Sequence, residues 1–359
     1  MNKEIITTKQ GIYLIIIFIL GTSQIYSGSG HAKQDLWISI LLAIVMAIPA
    51  LLVFGKLSTM YPGKNLFQIF DISFGKIIGT IISLFYILNF LHVGSLAIRD
   101  ITEFIQVVVL YETPQYFSAI WVILLAIYLV KSGFEVFARW TNFVIVIILF
   151  TIFCLMLFAL PKLDFLNILP VLNNGWKPVL DSAISYYAFP FAEVVVFLAL
   201  FNNLKDSKKS YSVFIKGITI GGFILLNITV QNILLLGFPN LEQIYFSSYS
   251  AKTLISIGGF LERVEVTSAV MIFVTGVAKV SVYLFAVCIG VSHLFKHKKY
   301  SDLAFPLGFS MLVLSLIVYN NTMEMVEFLD ISKYYLIPFQ LIIPVITLVV
   351  GGIRKKVKG

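Results

Sequence analysis

Charge is what this chain has least of: only 12% of its 359 residues are Asp, Glu, Lys or Arg, about half the ~25% usual in soluble domains. Cysteine is nearly absent too. Cys154 and Cys288 both fall in apolar stretches, and their separation suggests neither a disulfide framework nor a metal-ligating set. The four histidines are scattered, with no nucleophile–base spacing, metal-ligand cluster or phosphate-cradling glycine loop. Nothing in the sequence therefore argues for an enzyme, a cofactor or a metal.

What the chain has in abundance is apolar length: 59% of it is hydrophobic. Ten apolar segments can be drawn, at 10–30, 36–55, 76–109, 115–131, 137–160, 178–203, 211–236, 266–294, 303–320 and 334–353. Most approach the ~20 residues needed to cross a bilayer. The expected class is an all-α integral membrane protein of ten transmembrane helices in contact with the lipid bilayer. The connection 237–265, partly amphipathic, is expected to pack on the outer surface.

The net charge of +8 does not call for nucleic acid. Basic residues concentrate in alternate connections: Lys56, Lys64, Lys131, Arg139, Lys205, Lys208, Lys209, Lys296, Lys298 and Lys299, together with Lys3, Lys9 and the run from Arg354 to Lys358. The intervening connections hold only Lys33, Lys162, Lys177, Lys252, Arg263 and Lys333. By the positive-inside bias both termini are cytoplasmic and the number of spans is even. The first apolar segment is read as a retained helix and not a cleaved signal.

The stretch Ser185-Tyr186-Tyr187-Ala188-Phe189-Pro190-Phe191-Ala192-Glu193 organises the rest. A proline inside a helix costs about 3 kcal/mol, and hydrocarbon supplies no water to satisfy the freed backbone. Such a break, and a carboxylate three residues beyond it, persist only where they are buried in protein or line a wet cavity. The first segment carries Gly21-Thr22-Ser23-Gln24 near its middle and ends on Ser27-Gly28-Ser29-Gly30. These small residues either let the helix unwind or permit a close helix contact.

Division of the chain into five-segment halves, 1–162 and 178–359 with a linker at 163–177, brings the first and sixth segments into correspondence. A five-span half that starts inside ends outside, so the second half is inverted. Interruptions at matching positions of inverted repeats point to a midplane substrate site. The expectation is that helices 1 and 6 are both interrupted near the midplane, with Gly21, Thr22, Ser23, Tyr186, Phe189, Pro190 and Glu193 around the ligand.

Other polar residues follow from spacing. Lys279 sits about midway along the eighth segment, and Thr275, Lys279 and Tyr283 share a face at four-residue intervals. Asn89 and His92 lie mid-segment in the third span, as pocket or proton-relay residues or as hydrogen-bonded core groups. Arg99 and Glu103 are either a partly solvated pair near the interface or an outer gate. Asn227, Gln231 and Asn232 read as interhelical hydrogen bonding.

An ordered set of short strings then carries a resemblance. Pro62-Gly63-Lys64-Asn65-Leu66, Glu112-Thr113-Pro114, Ile168-Leu169-Pro170-Val171-Leu172, Asn174-Gly175-Trp176-Lys177-Pro178, Phe189-Pro190-Phe191-Ala192-Glu193, Ile255-Ser256-Ile257-Gly258 and Phe260-Leu261-Glu262-Arg263 together resemble the spore germinant receptor B subunits, the spore permease family. Ala192 stands where that family usually has glycine. The resemblance implies the amino acid–polyamine–organocation transporter superfamily, with ten helices in two inverted repeats. It also implies a ligand-sensing role in the spore inner membrane, beside an A subunit with membrane helices and a C subunit lipoprotein. By position, residues 21–23 and 189–193 would hold the amino and carboxylate groups of an amino acid. Lys279 would stand in for the sodium ion that some superfamily members bind between the first and eighth helices. The competing reading is a proton-coupled amino acid transporter using Glu193 or His92; a direct Glu193–Lys279 pair that only holds the bundle closed is the third.

Overall fold

The computed structural model of the chain describes residues 4–25, 30–255 and 263–358. It is all-helical apart from one isolated bridge between Ile6 and Leu204. In order, the helices are α1 (Thr8–Ser23), α2 (Leu36–Met60), α3 (Leu66–Phe74), α4 (Lys76–Phe104), α5 (Gln115–Ser132), α6 (Phe134–Ala159), α7 (Trp176–Tyr186), α8 (Ser210–Leu236), α9 (Phe238–Gln243), α10 (Ser247–Thr253), α11 (Glu265–Phe295), α12 (Ala304–Ile317), α13 (Thr322–Ile337) and α14 (Ile343–Lys358). Among the described residues, nine helical stretches are long and apolar enough to cross a membrane.

The first expected segment is corrected. It forms α1, whose 16 residues span about 24 Å at 1.5 Å per residue, short of a ~30 Å hydrocarbon core. It opens on a capping box, the Thr7 side chain accepting from the Gln10 backbone and the Gln10 side chain from the Thr7 backbone. Gly21, Thr22 and Ser23 do not interrupt it; they form its last turn, where the Ser23 hydroxyl donates back to the Ile19 carbonyl. The chain turns at Gln24 and Ile25 and resumes as a 3-10 segment, Gly30–Asp35, while the Ser27-Gly28-Ser29 string lies outside the described residues.

Burial explains the layering. Every residue of α1 from Leu14 to Ser23 is buried, as expected of a helix that is apolar all round. It packs between α8 and α11, and α4 lies along the length of α11. Residues 176–199 and α11 are the innermost spans, each with 83% of its most apolar window buried, against 28% for the stretch containing α6. Glycines on α8 permit the closest approach: a Cβ on Gly217 would stand 2.6 Å from Ile15, and one on Gly222 2.7 Å from Ile44.

The connections that hold most of the basic residues gather at one end of the bundle. Glu4, Asp71, His293 and Tyr300 line a common cavity there, of about 860 Å³. Tyr300 donates to Glu4 at 2.9 Å, Asp71 meets His293 at 2.9 Å, and Arg354 near the C-terminus donates to the Ile72 carbonyl at 3.1 Å. The N-terminal segment and the end of α14 thus lie on the same side.

The connection 237–265 is also corrected. Its described part does not simply lie on the surface, because α10 turns Ala251 and Lys252 inward onto α8. Lys252 Nζ donates to Gln231 Oε1 at 2.7 Å and Asn232 Oδ1 at 3.2 Å, and Asn232 donates to Ser248 Oγ at 2.8 Å. Asn227 reaches Met156 Sδ at 3.6 Å and Gln231 donates to the Leu155 carbonyl at 3.0 Å, so these amides do bridge elements as expected. Residues 256–262, which include parts of two family-like strings, lie outside the described residues. Cys288 is buried and Cys154 half-buried; both are free thiols.

Candidate functional site

The stretch expected as the sixth span, Trp176–Ala199, breaks where the sequence places its proline. The α-helical part ends at Tyr186, a π turn covers Tyr187–Phe191, and the chain continues as a 3-10 helix, Ala192–Ala199. Within the turn Phe189 is extended, with φ −139° and ψ 113°, and the peptide to Pro190 is cis. Neighbouring side chains satisfy backbone that the break leaves without a helical partner. Gln340 Nε2 donates to the Ala188 carbonyl at 2.8 Å, which ties the turn to the segment Pro338–Ile342.

Glu193 follows directly. Its Oε2 lies 2.6 Å from Lys279 Nζ, and its Oε1 accepts from the Tyr283 hydroxyl at 3.1 Å. Both charged side chains are almost fully buried, at 2% and 1% exposure. The Lys279 ammonium lies over the Phe189 ring, 4.2 Å from its centroid, and 5.1 Å from that of Phe18. The stem of Lys279 runs against the end of α1: a Cβ on Gly21 would stand 2.8 Å from Lys279 Cδ. Glycine at position 21 therefore serves close approach and not unwinding. One turn away on α11, the Thr275 hydroxyl accepts from Gln24 Nε2 at 3.0 Å and sits 3.4 Å from the Gly21 carbonyl.

A small enclosed cavity of about 30 Å³ adjoins the pair. Its polar lining comes from Thr22, Asp100, Glu193, Lys279 and Ser332, and its apolar walls include Phe189, Tyr319 and Phe328. That volume holds a water molecule or two, since one needs about 10–15 Å³ by this measure. A molecule the size of an amino acid does not fit in that volume.

Of the residues expected at the site, Thr22, Phe189, Glu193 and Lys279 line the cavity. Gly21, Ser23, Tyr186 and Pro190 are buried beside it without lining it. Tyr283 and Thr275 act behind it, on Glu193 and on the end of α1. His92 faces elsewhere, its Nδ1 3.0 Å from the Tyr335 hydroxyl, and Asn89 is half-buried away from the cavity. Arg99 and Glu103 pair at 3.1 Å, but with side chains only 7% and 9% exposed they are buried, which corrects the partly solvated expectation. Glu103 also accepts from Gln115 at 2.8 Å and Thr322 at 2.5 Å, and so links α4 to the starts of α5 and α13.

Sequence reasoning missed Asp100 and the whole contribution of α13. Asp100 was masked by the i, i+4 pair beside it, yet a helix turns about 100° per residue and so sends Asp100 to a different face from Arg99. α13 carries Glu324, Glu327 and Lys333, whose charge lowered its apparent apolarity. Lys333 is in fact buried and paired with Asp181 at 2.7 Å.

With that geometry in view, comparison with known proteins gives one answer. A family described as spore germination protein, the spore permeases, matches residues 5–324. This chain belongs to that family. Among its relatives, spore germination protein KB of Bacillus subtilis is 31% identical over 99% of this chain and 97% of its own length. Spore germination protein YndE of the same organism is 26% identical over 82% of this chain and 83% of its own. A solved nucleobase-cation-symport-1 family transporter, in a closed conformation with bromovinylhydantoin bound, superposes with a TM-score of 0.67 at 13% identity, covering 91% of this chain and 75% of that one. The spore permease thus shares a transporter-like fold, and it is a multi-pass membrane protein in which the stretch Trp176–Ala199 is interrupted.

Proposed function

We propose that this spore permease is the nutrient-germinant sensing subunit of a spore germination receptor, and that it binds an amino acid at the break in its sixth span. The observation that carries the reading is the buried Glu193–Lys279 pair beside a small cavity at that break, mostly apolar but with polar groups in its lining. Buried ion pairs are poor stabilisers compared with apolar packing of the same volume, and intramembrane charges mark ligand or ion sites by default. The transporter-like fold of a chain whose relatives bear the name spore germination protein is in keeping with it.

The reading includes two inverted five-helix repeats, residues 1–162 and 178–359 joined by 163–177, with α1 counted as the first span. Both termini face the cytoplasm, by the basic bias of the end that carries them, and the membrane is the spore inner membrane. Gly21, Thr22 and Ser23 at the end of α1 and Tyr186, Phe189, Pro190 and Glu193 at the break frame the ligand. The amide end of the 3-10 helix that starts at Ala192 offers donors to the ligand carboxylate. Lys279 is the fixed positive charge in place of a bound sodium ion. Ligand occupancy shifts a two-state bundle, and A and C receptor subunits read the shift. The role involves binding and a change of shape, with no chemical step.

The second reading, a proton-coupled amino acid transporter, draws on the fold likeness to a symporter. Equilibrium binding of labelled amino acids and their uptake into proteoliposomes, run side by side, separate the two. Saturable binding without uptake, weakened by Glu193→Gln in protein that remains folded, supports the sensor. Concentrative uptake that follows an imposed proton gradient overturns it in favour of the transporter.

A further inference from the structure

The Glu193–Lys279 pair is electrically closed. Glu193 spends one oxygen on Lys279 and the other on Tyr283, and the Lys279 ammonium is further covered by the rings of Phe18 and Phe189. Neither partner is available to a ligand without the pair first being broken. Arg99 is similarly committed, to Glu103 on a different face of α4. One carboxylate remains. Asp100 is only 4% exposed, lines the same cavity, and forms no ion pair among the described residues. Close beside it Thr22, wholly buried, carries a hydroxyl that approaches the Asp100 carboxylate but makes no hydrogen bond of ordinary geometry among the described residues.

We infer that Asp100 is the group that accepts the ammonium of the bound amino acid, with the Thr22 hydroxyl as a second acceptor and the Glu193–Lys279 pair as a neutral, fixed wall beside them. The inference rests on the amino acid reading above and names the residue that gives it selectivity. A buried carboxylate is costly until a cation joins it, so this position gains most from a ligand that carries its own positive charge. Phe328 and Tyr319 line the same cavity, and aromatic walls favour an ammonium over a neutral group. The space itself is water-sized. The ammonium group, not the whole ligand, is therefore the part that fits before the walls separate.

The test uses the full chain in lipid nanodiscs. Each of the twenty L-amino acids is screened by thermal shift, and the best binder is compared by calorimetry with its α-hydroxy acid, which keeps the carboxylate and side chain but lacks the ammonium. The expected result is that wild type prefers the amino acid roughly 10- to 100-fold, the worth of one hydrogen bond to a charged group. Asp100→Asn should bring that preference close to one, while Asp100→Glu, which keeps the charge, should retain most of it. Unchanged preference in Asp100→Asn overturns the assignment while leaving the amino acid reading intact. A loss confined to sodium dependence, with the preference preserved, overturns it in favour of a cation site. If no amino acid shifts wild type, the amino acid reading fails, and the role of Asp100 fails with it. Should Asp100→Asn not fold, Thr22→Val provides the second variant, and an unaltered preference there removes the hydroxyl from the assignment.

Discussion

Lys279 Nζ stands 2.6 Å from Glu193 Oε2, in a contact where neither side chain exceeds 2% exposure. Removal of one partner of such a pair strands the other and costs about 3–5 kcal/mol, whereas removal of both can be neutral. Glu193→Gln and Lys279→Met should therefore each lower the unfolding temperature in detergent, and the double variant should be more stable than either single one. A double variant as unstable as the sum of the two would mean that the residues act independently.

Gly21 bears on the same contact from the other side. A methyl group there would sit 2.8 Å from Lys279 Cδ and 2.9 Å from its Cβ, and the Cβ cannot swing away as a side-chain tip can. Gly21→Ala should destabilise by about 1–3 kcal/mol, the usual cost of overpacking. In a Lys279→Ala background, which lacks the stem beyond Cβ, Gly21→Ala should cost less in thermal unfolding than it does in wild type. If Gly21→Ala is silent, α1 and α11 are not packed this closely.

The sixth-span break was legible because its signal is local. Proline and glutamate three residues apart in an apolar run have one physical resolution, and the chain adopts it at Tyr187–Phe191. The small residues of α1 were ambiguous for an equally physical reason: Gly21 can free a backbone or admit a neighbour, and only the stem of Lys279, 258 positions away in sequence, decides between them. Asp100 and Ser332 were not legible as lining one cavity. Their convergence on it depends on how α4 and α13 are rotated about the sixth span, which periodicity on weakly amphipathic, largely buried helices does not specify. The inward turn of Lys252 was hidden similarly, since a lysine in a polar connection reads as solvated until its acceptors on α8 are seen.

That lysine yields a pH dependence. Burial lowers the Lys252 pKa to about 7, against about 10.4 for a free lysine, although two amide oxygens receive its ammonium. Between these values the unfolded chain holds the proton and the folded chain does not, so stability rises with pH. The penalty is fully present below about pH 7, where both states are protonated, and is relieved progressively toward pH 10. Unfolding in detergent at pH 6 to 9 should show wild type gaining stability above neutrality by an amount on the order of a few kcal/mol, with a flatter profile in Lys252→Met. Parallel profiles in the two proteins would mean that α10 does not bury this side chain.

Glu103 fastens the edge of the cavity. It receives Arg99 at 3.1 Å, Gln115 at 2.8 Å and Thr322 at 2.5 Å, and so holds the start of α13 against α4. Ser332 lies ten residues further along α13, about 15 Å at the helical rise, and is 4% exposed. If α13 must tilt from α4 for a ligand to enter, loosening its anchored end should expose Ser332 more often. In a background with Cys154→Ser and Cys288→Ser, a thiol reagent should modify Ser332→Cys slowly, and Glu103→Gln should raise that rate about tenfold or more. The glutamine keeps the side-chain shape but gives up the charge that holds Arg99, and a hydrogen bond to a charged group is worth about 1.5–3 kcal/mol. That loss is large enough to raise the population of the opened form about tenfold or more. An unchanged labelling rate would show that entry to the cavity runs by another route and that the Arg99–Glu103 network is a fixed strut.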